Sequence, residues 1–201
     1  MEIKEKKKEI RAEIRALKKQ QTTEEKEAAS EKIAAKLLQL PQIRTADTIL
    51  LYYSLPDEVL TEKLIYILSG LSSNEINNDA IGTKRIILPV VEGEFLILKE
   101  FVPGKVSSGY RDIIEPNTSE IIDPAEVELA IIPGVAFDSC CNRMGRGKGF
   151  YDRLLPYIKC PTIGLGYDFQ IVPNIPTDKY DVPLDMVITE SESYFNGLRL
   201  R

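Results

Sequence analysis

Isolated apolar residues at Ile3, Ile10, Ile14 and Leu17 recur at helical spacing among Lys4, Lys7, Lys8, Arg11, Arg15 and Lys18. This pattern predicts an amphipathic basic helix over residues 2–20, whose narrow apolar stripe packs on the edge of the domain. Thr22 followed by Glu25 is a capping-box signature, and Ala29, Ile33, Leu37 and Leu40 carry a second helical face up to Pro41, which is expected to close it. Beyond that point the period changes. Short apolar runs at Thr48–Tyr53, Arg85–Val91, Phe95–Phe101, Leu129–Pro133, Thr162–Gly166 and Met186–Thr189 read as strands, with helices expected at about 59–70 and 149–158. Continuous apolar strands separated by helices imply an α/β fold: a mixed, mostly parallel sheet with helices on both faces. Phe95–Phe101, close behind Val90–Gly93, is expected to be a hairpin arm at the sheet edge. Residues 69–83 are polar and turn-rich and read as a surface loop. No repeat or linker divides the chain, so residues 1–201 are expected to form a single domain.

Composition narrows the function classes. A chain of 201 residues with 43% hydrophobic and 28% charged positions suits one globular domain. No apolar run approaches the roughly 20 residues that span a bilayer, so no membrane association is expected. Glu2, Glu5, Glu9 and Glu13 are out of place in a transit peptide, and the N-terminus lacks the apolar core of a signal peptide. A cytoplasmic location is therefore expected. Cys140, Cys141 and Cys160 are odd in number and two are adjacent, which argues for free thiols. The chain has no histidine, which removes Ser-His and Cys-His nucleophile pairs and makes a zinc site improbable. A net charge of −5 argues against a nucleic-acid binder.

Positive charge is concentrated in one place. At residues 131–153 an apolar run gives way to Gly145, Gly147 and Gly149, interleaved with Arg143, Arg146 and Lys148. Glycines let a chain turn tightly and point N–H groups into a concavity, and a following helix adds the positive end of its dipole. The segment therefore reads as a phosphate loop. It is neither a Walker loop, because Lys148 is followed by Gly149, nor a dinucleotide fingerprint, because the third glycine comes one residue early. By itself such a stretch is also compatible with a solvated loop.

PGVAFD followed by NRMGRGKGFYDRLL resembles the pattern PGxAFD…RLGxGxGYYDxxL of the 5-formyltetrahydrofolate cyclo-ligases. Further landmarks of that family are similar and in order: KKEIR at 7–11, LPDEVLT at 55–61, Glu-Pro at 115–116 and DVPLDMVITE at 181–190. Tyr180 stands where the family commonly has His, and Met144 where it has Leu; neither change removes a charged group.

The resemblance implies an ATP- and Mg²⁺-dependent cyclisation of 5-formyltetrahydrofolate to 5,10-methenyltetrahydrofolate, with small-molecule substrates and no obligate protein partner. It implies ATP contacts from Lys7 and Arg11 and from the run Arg143, Met144, Gly145, Arg146, Gly147, Lys148, Gly149, Phe150 and Tyr151. Lys7 and Arg11, four apart, share a helical face that can equally be a solvated one. It assigns the folate to Tyr53 and Glu58, together with Arg146, Gly147, Lys148, Gly149 and Phe150. A carboxylate suits the N–H donors of a reduced pterin, although an exposed turn acid is the plainer alternative. Asp152 and Asp181 are implied as Mg²⁺ ligands. Asp152 in a first helical turn also suits the dipole without any metal, and Asp185 is expected to be structural. Arg146 and Lys148 are implied to be the catalytic cations, and Tyr110 and Tyr151 either flank the flat rings or belong to the core. No chemistry is assigned to Cys140 and Cys141. Another ATP-using ligase or kinase is the enzymatic alternative, and a polyanion-binding module the non-enzymatic one. The carboxylates argue against the module, since an anion trap gains nothing from negative groups beside its ligand.

Overall fold

The computed structural model of the protein describes residues 3–71, 81–109 and 114–197. Tyr110 and most of the expected surface loop at 69–83 lie outside these residues. The first helix, α1 (Ile3–Lys18), and the second, α2 (Thr23–Leu38), follow the predicted pattern, and the Thr22–Glu25 capping box is formed from both sides. Pro41 plays a different part from the one expected. The helix has already ended, and Pro41 opens a short helix α3 (Pro41–Thr45), a position where its missing N–H costs nothing.

Among the described residues, seven strands make one sheet. They are β1 (Thr48–Leu50), β2 (Arg85–Glu92), β3 (Phe95–Glu100), β6 (Leu129–Pro133), β9 (Thr162–Leu165), β10 (Met186–Ile188) and β11 (Ser193–Phe195). Their order is β11-β10-β9-β6-β1-β2-β3. The five central strands run parallel, with Ile49 beside both Ile86 and Leu129 and with Ile131 beside Ile163. Hairpin partners β3 and β11 close the two edges antiparallel. Two small hairpins complete the strands: β4 (Val106–Ser108) with β5 (Ile114–Pro116), and β7 (Ala136–Phe137) with β8 (Arg143–Met144).

Strand alternation divides the core into two layers. Ile86, Leu88, Leu129 and Ile131 face α2, α3 and α4 (Glu62–Leu68), meeting Ile33, Leu37, Ile43, Leu64 and Leu68. Ile87, Ala130, Ile132 and Val187 face the other way, onto Leu154, Leu155 and Ile158, which lie in and just after α5 (Phe150–Leu154). This is the mixed α/β architecture expected from the sequence, with helices on both faces. Phe137 packs so closely on the sheet that a Cβ on Gly134 or Gly164 would fall 2.4 or 2.7 Å from its ring. On one flank α1 buries Ile14 against Ala136, Met144 and Ile175 and so anchors the β7–β8 hairpin. No helix among the described residues is long and apolar enough to cross a membrane.

Candidate functional site

A cavity of about 180 Å³ opens at the carboxyl ends of β1, β2 and β6, where ligands collect in parallel α/β sheets. Its apolar wall includes Pro89, Val91, Leu96 and Val135, and its polar groups include Glu58, Arg143, Arg146, Lys148 and Asp152. Proline and valine at strand ends carry no sign of a site in the sequence, so this wall was not legible there.

The Glu58 turn is held at several points. Leu55 N–H donates to Glu58 Oε2 at 3.0 Å, and Glu58 N–H donates to Leu55 O at 3.0 Å. The buried Tyr167 hydroxyl donates to Glu58 O at 3.0 Å and meets Ser30 Oγ at 3.0 Å, while Tyr52 OH donates to Val59 O at 3.2 Å. Glu58 is thus a buried, positioned acid and not an exposed turn residue. Tyr53 lines the cavity beside it, its hydroxyl pKa pushed up by burial and by the neighbouring Glu62.

On the glycine loop, Gly147 (φ +93°) and Gly149 (φ +72°) occupy the left-handed region that side chains disfavour. Among the described residues, the N–H groups of Arg146, Gly147 and Lys148 make no hydrogen bond, so the loop presents donors as an anion site requires. The expected helix over 149–158 is shorter: α5 has five residues, and Pro156 turns the chain into a 3-10 segment, Leu155–Tyr157. So short a helix adds little dipole, and the cationic side chains must carry the attraction.

The charges pair in ways that spacing does not reveal. Arg146, assigned from the resemblance to phosphate, donates to Glu58 Oε1 from Nε (3.2 Å) and Nη2 (3.0 Å), and to Asp57 Oδ1 at 2.5 Å. Lys18 of α1 completes this network on Asp57 at 3.3 Å. Burial works against the charge of Asp57, yet the Arg146 hydrogen bond and the Lys18 charge hold its carboxyl below the usual range. Burial likewise opposes the charge of Arg146, and the two acids outweigh it and raise its pKa. Lys148 lines the cavity with no ion pair among the described residues.

Arg143 is buried, its Nη2 2.6 Å from Asp152 Oδ1 and its Nη1 3.1 Å from Pro133 O, with Tyr151 packed against it. Its Nε is a buried donor with no acceptor among the described residues. Burial also pushes up the Tyr151 hydroxyl pKa. Asp152 therefore does not cap α5, whose N-cap residue, Gly149, has no side chain to offer. Phe150 and Tyr151 line the cavity, whereas the Met144 side chain points away into the core against Ile14. Lys7, Arg11 and Asp181 lie outside the lining. Arg11 Nε holds Gly145 O at 2.9 Å, and Lys7 pairs with Asp181 Oδ2 at 2.5 Å. Asp185 is tied to Thr162 through its backbone and Oδ2, the structural role expected of it.

The chemistry of a magnesium site can be tested on the two expected ligands. Asp152 is engaged through Oδ1 alone, and Asp181 through Oδ2 alone, which also accepts from Asp178 N–H. Each keeps its second oxygen uncommitted among the described residues, and both charges act on Arg11. No group of three or more metal-binding side chains occurs among the described residues. Two carboxylates suit Mg²⁺, which commonly takes its remaining ligands from water and phosphate.

Strand order and cavity position define the class: an α/β protein whose site is built where parallel strands end, between a positioned acid and a cationic glycine loop. The model of the 5-formyltetrahydrofolate cyclo-ligase family matches residues 3–190. The 5-formyltetrahydrofolate cyclo-ligase of Haemophilus influenzae is 31% identical over 188 residues, covering 89% of this chain and 95% of that protein. The Escherichia coli K12 enzyme is 29% identical over 192 residues, covering 91% and 97%. The solution structure of Aquifex aeolicus 5,10-methenyltetrahydrofolate synthetase is similar at a TM-score of 0.80 and 31% identity, covering 95% of this chain and 93% of that one. The Mycoplasma pneumoniae synthetase is similar at 0.71 and 25%, covering 92% and 98%. The chain belongs to the 5-formyltetrahydrofolate cyclo-ligase family, and is an enzyme of folate metabolism.

Proposed function

We propose that the protein converts 5-formyltetrahydrofolate and ATP to 5,10-methenyltetrahydrofolate, ADP and phosphate. The observation that carries this reading is the apposition, around one apolar cavity, of the Glu58 turn and the unpaired N–H groups and cations of the 145–149 loop. The pterin ring occupies the apolar cavity with its N–H donors toward Glu58 and with Tyr53 beside it. The ATP phosphates lie on the N–H groups of Gly145–Gly149, with Arg11 and Lys7 of α1 approaching from the flank and Phe150 and Tyr151 supporting the loop.

The formyl oxygen attacks the γ-phosphorus and ADP departs, leaving an imidate phosphate; N10 then attacks the activated carbon, closing the ring, and phosphate leaves as the N10 proton is lost to water. No protein nucleophile is needed, which suits a chain without histidine. The protein positions the two substrates and offsets developing charge, the usual means of catalysing phosphoryl transfer. Lys148 and Arg146 face the transferring group, Arg146 after exchanging its carboxylate partners for phosphate. Asp152 and Asp181 would hold Mg²⁺ through their uncommitted oxygens, and the ion, when bound, supplies charge neutralisation at the phosphates.

The test is an absorbance assay at the methenyl band with 5-formyltetrahydrofolate, ATP and Mg²⁺ supplied together and singly omitted. Product is expected only with all three, with ADP formed in equal amount. Cyclisation at the same rate without ATP, or ADP release indifferent to the folate, rejects the phosphoryl-transfer reading.

A further inference from the structure

Arg153 of α5 lies outside the cavity lining, yet it touches two segments that border the cavity. Its Nε donates to Glu94 O at 2.9 Å, and Nη2 reaches the same oxygen. Nη2 also donates to Lys148 O at 2.9 Å. Glu94 belongs to the turn that joins β2 to β3, and Lys148 to the glycine loop. One guanidinium therefore bridges the tip of the edge hairpin and the phosphate loop. Its central carbon stands 5.7 Å from the ring centre of Phe95 and 5.7 Å from that of Phe150, within reach of a favourable cation–ring attraction.

An arginine that serves to neutralise an acid has a carboxylate beside it. Arg153 makes no ion pair among the described residues, and its hydrogen-bond acceptors are two main-chain carbonyls from segments far apart in the chain. What it fixes is thus backbone position, through the fork of donors that a guanidinium holds in one plane. The hairpin needs such a hold at its tip. Leu96 packs against the core, whereas residues 92–95 beyond it are exposed, Phe95 at 59%.

In the proposed reaction the two bridged segments serve different substrates. Pro89 and Val91 of β2 and Leu96 of β3 wall the cavity assigned to the pterin, and the loop presents its N–H groups to phosphate. Phosphoryl transfer needs the formyl oxygen in line with the γ-phosphorus, and a displacement of about 1 Å can cost about a hundredfold in rate.

We infer that Arg153 is a positioning residue for catalysis: by tying the hairpin tip to the glycine loop it sets the spacing between the two bound substrates, and it contacts neither. The inference rests on the reaction proposed for this site.

The experiment compares the full chain with its Arg153→Met and Phe95→Ala variants. It measures kcat for methenyl product at saturating 5-formyltetrahydrofolate, ATP and Mg²⁺, the affinity for each substrate alone by calorimetry, and the thermal melt of the free protein. Arg153→Met keeps the length of the side chain and loses its donors, so kcat should fall about ten- to hundredfold. The affinity for each substrate alone should stay within about twofold of wild type, because each half of the site persists. Phe95→Ala removes one of the two rings beside the guanidinium from an exposed position and should lower kcat about two- to fivefold; it carries the test if Arg153→Met does not fold. ATP affinity falling in step with kcat would make Arg153 a direct phosphate cation and overturns the positioning role. A lowered melting temperature with kcat unchanged overturns it too, leaving only a structural bridge. A wild-type chain that forms no methenyl product overturns the proposed function and this inference together, whereas an active wild type with unaffected variants overturns the role of Arg153 alone.

Discussion

Arg146 and Glu58 hold each other, two guanidinium nitrogens lying 3.0 and 3.2 Å from Glu58 Oε1. The loop cation expected to bind phosphate and the turn acid expected to bind folate are thus partners in the free protein. A ligand that takes Glu58 Oε1 must displace Arg146 and thereby frees a cation next to the phosphate loop. Glu58→Gln should weaken 5-formyltetrahydrofolate binding by about 1.5–3 kcal/mol, roughly ten- to hundredfold. ATP binding should change less, because the substitution leaves Lys148 and the N–H groups of the 145–149 loop untouched. Calorimetric titration with each ligand decides, and equal losses for both would contradict the division of the site.

Asp152→Asn separates a metal ligand from a partner of Arg143. The Arg143 side chain is 3% exposed, so losing the charge of its partner should cost about 1–3 kcal/mol and lower the melting temperature of the free protein by several degrees. If Asp152 also binds magnesium, turnover should fall by about two orders of magnitude or more, most steeply at limiting Mg²⁺. A lowered melting temperature with near-normal turnover across the magnesium titration would leave Asp152 only its pairing role.

Acid stability should carry the mark of Asp57. Its carboxyl pKa is lower in the folded protein than in the unfolded chain. The stability it contributes is therefore complete above the unfolded value, about 3.9, and is lost as pH falls through the lower folded value. Asp57→Asn should flatten the acid limb of a melting-temperature profile below about pH 4 and leave its shape between pH 5 and 8 unchanged. A variant whose profile changes shape near neutrality would refute the assignment.

The adjacent cysteines should react unequally. Cys140 is exposed, whereas Cys141 is buried, and its thiol is pushed up to about 11, first by burial and then by the charge of Asp138. Because the thiolate is the reactive form, iodoacetamide at pH 8 should alkylate Cys140 well before Cys141. Peptide mass spectrometry over a time course measures this, and equal rates would show that the 138–142 turn opens readily.

Apolar spacing alone was enough to find the central strands, because a strand buried on both faces must be apolar along its length, as Leu129–Pro133 is. It also found α1 and the capped start of α2, whose signals are local. The two-residue strands β7 and β8 were invisible because two residues carry no period, and α5 was overestimated because Pro156 acts one turn after the helix has begun. The same division runs through the site. Glycine spacing and interleaved charge marked the loop, since a left-handed backbone at Gly147 and Gly149 demands that residue type locally. Which charge meets which was decided only by the tertiary structure. Arg146 reaches Glu58 across 88 positions, and Lys7 reaches Asp181 across 174. Such pairs form because sheet order brings strand ends together and burial makes an unpaired charge costly, and neither condition is written in the neighbourhood of either residue.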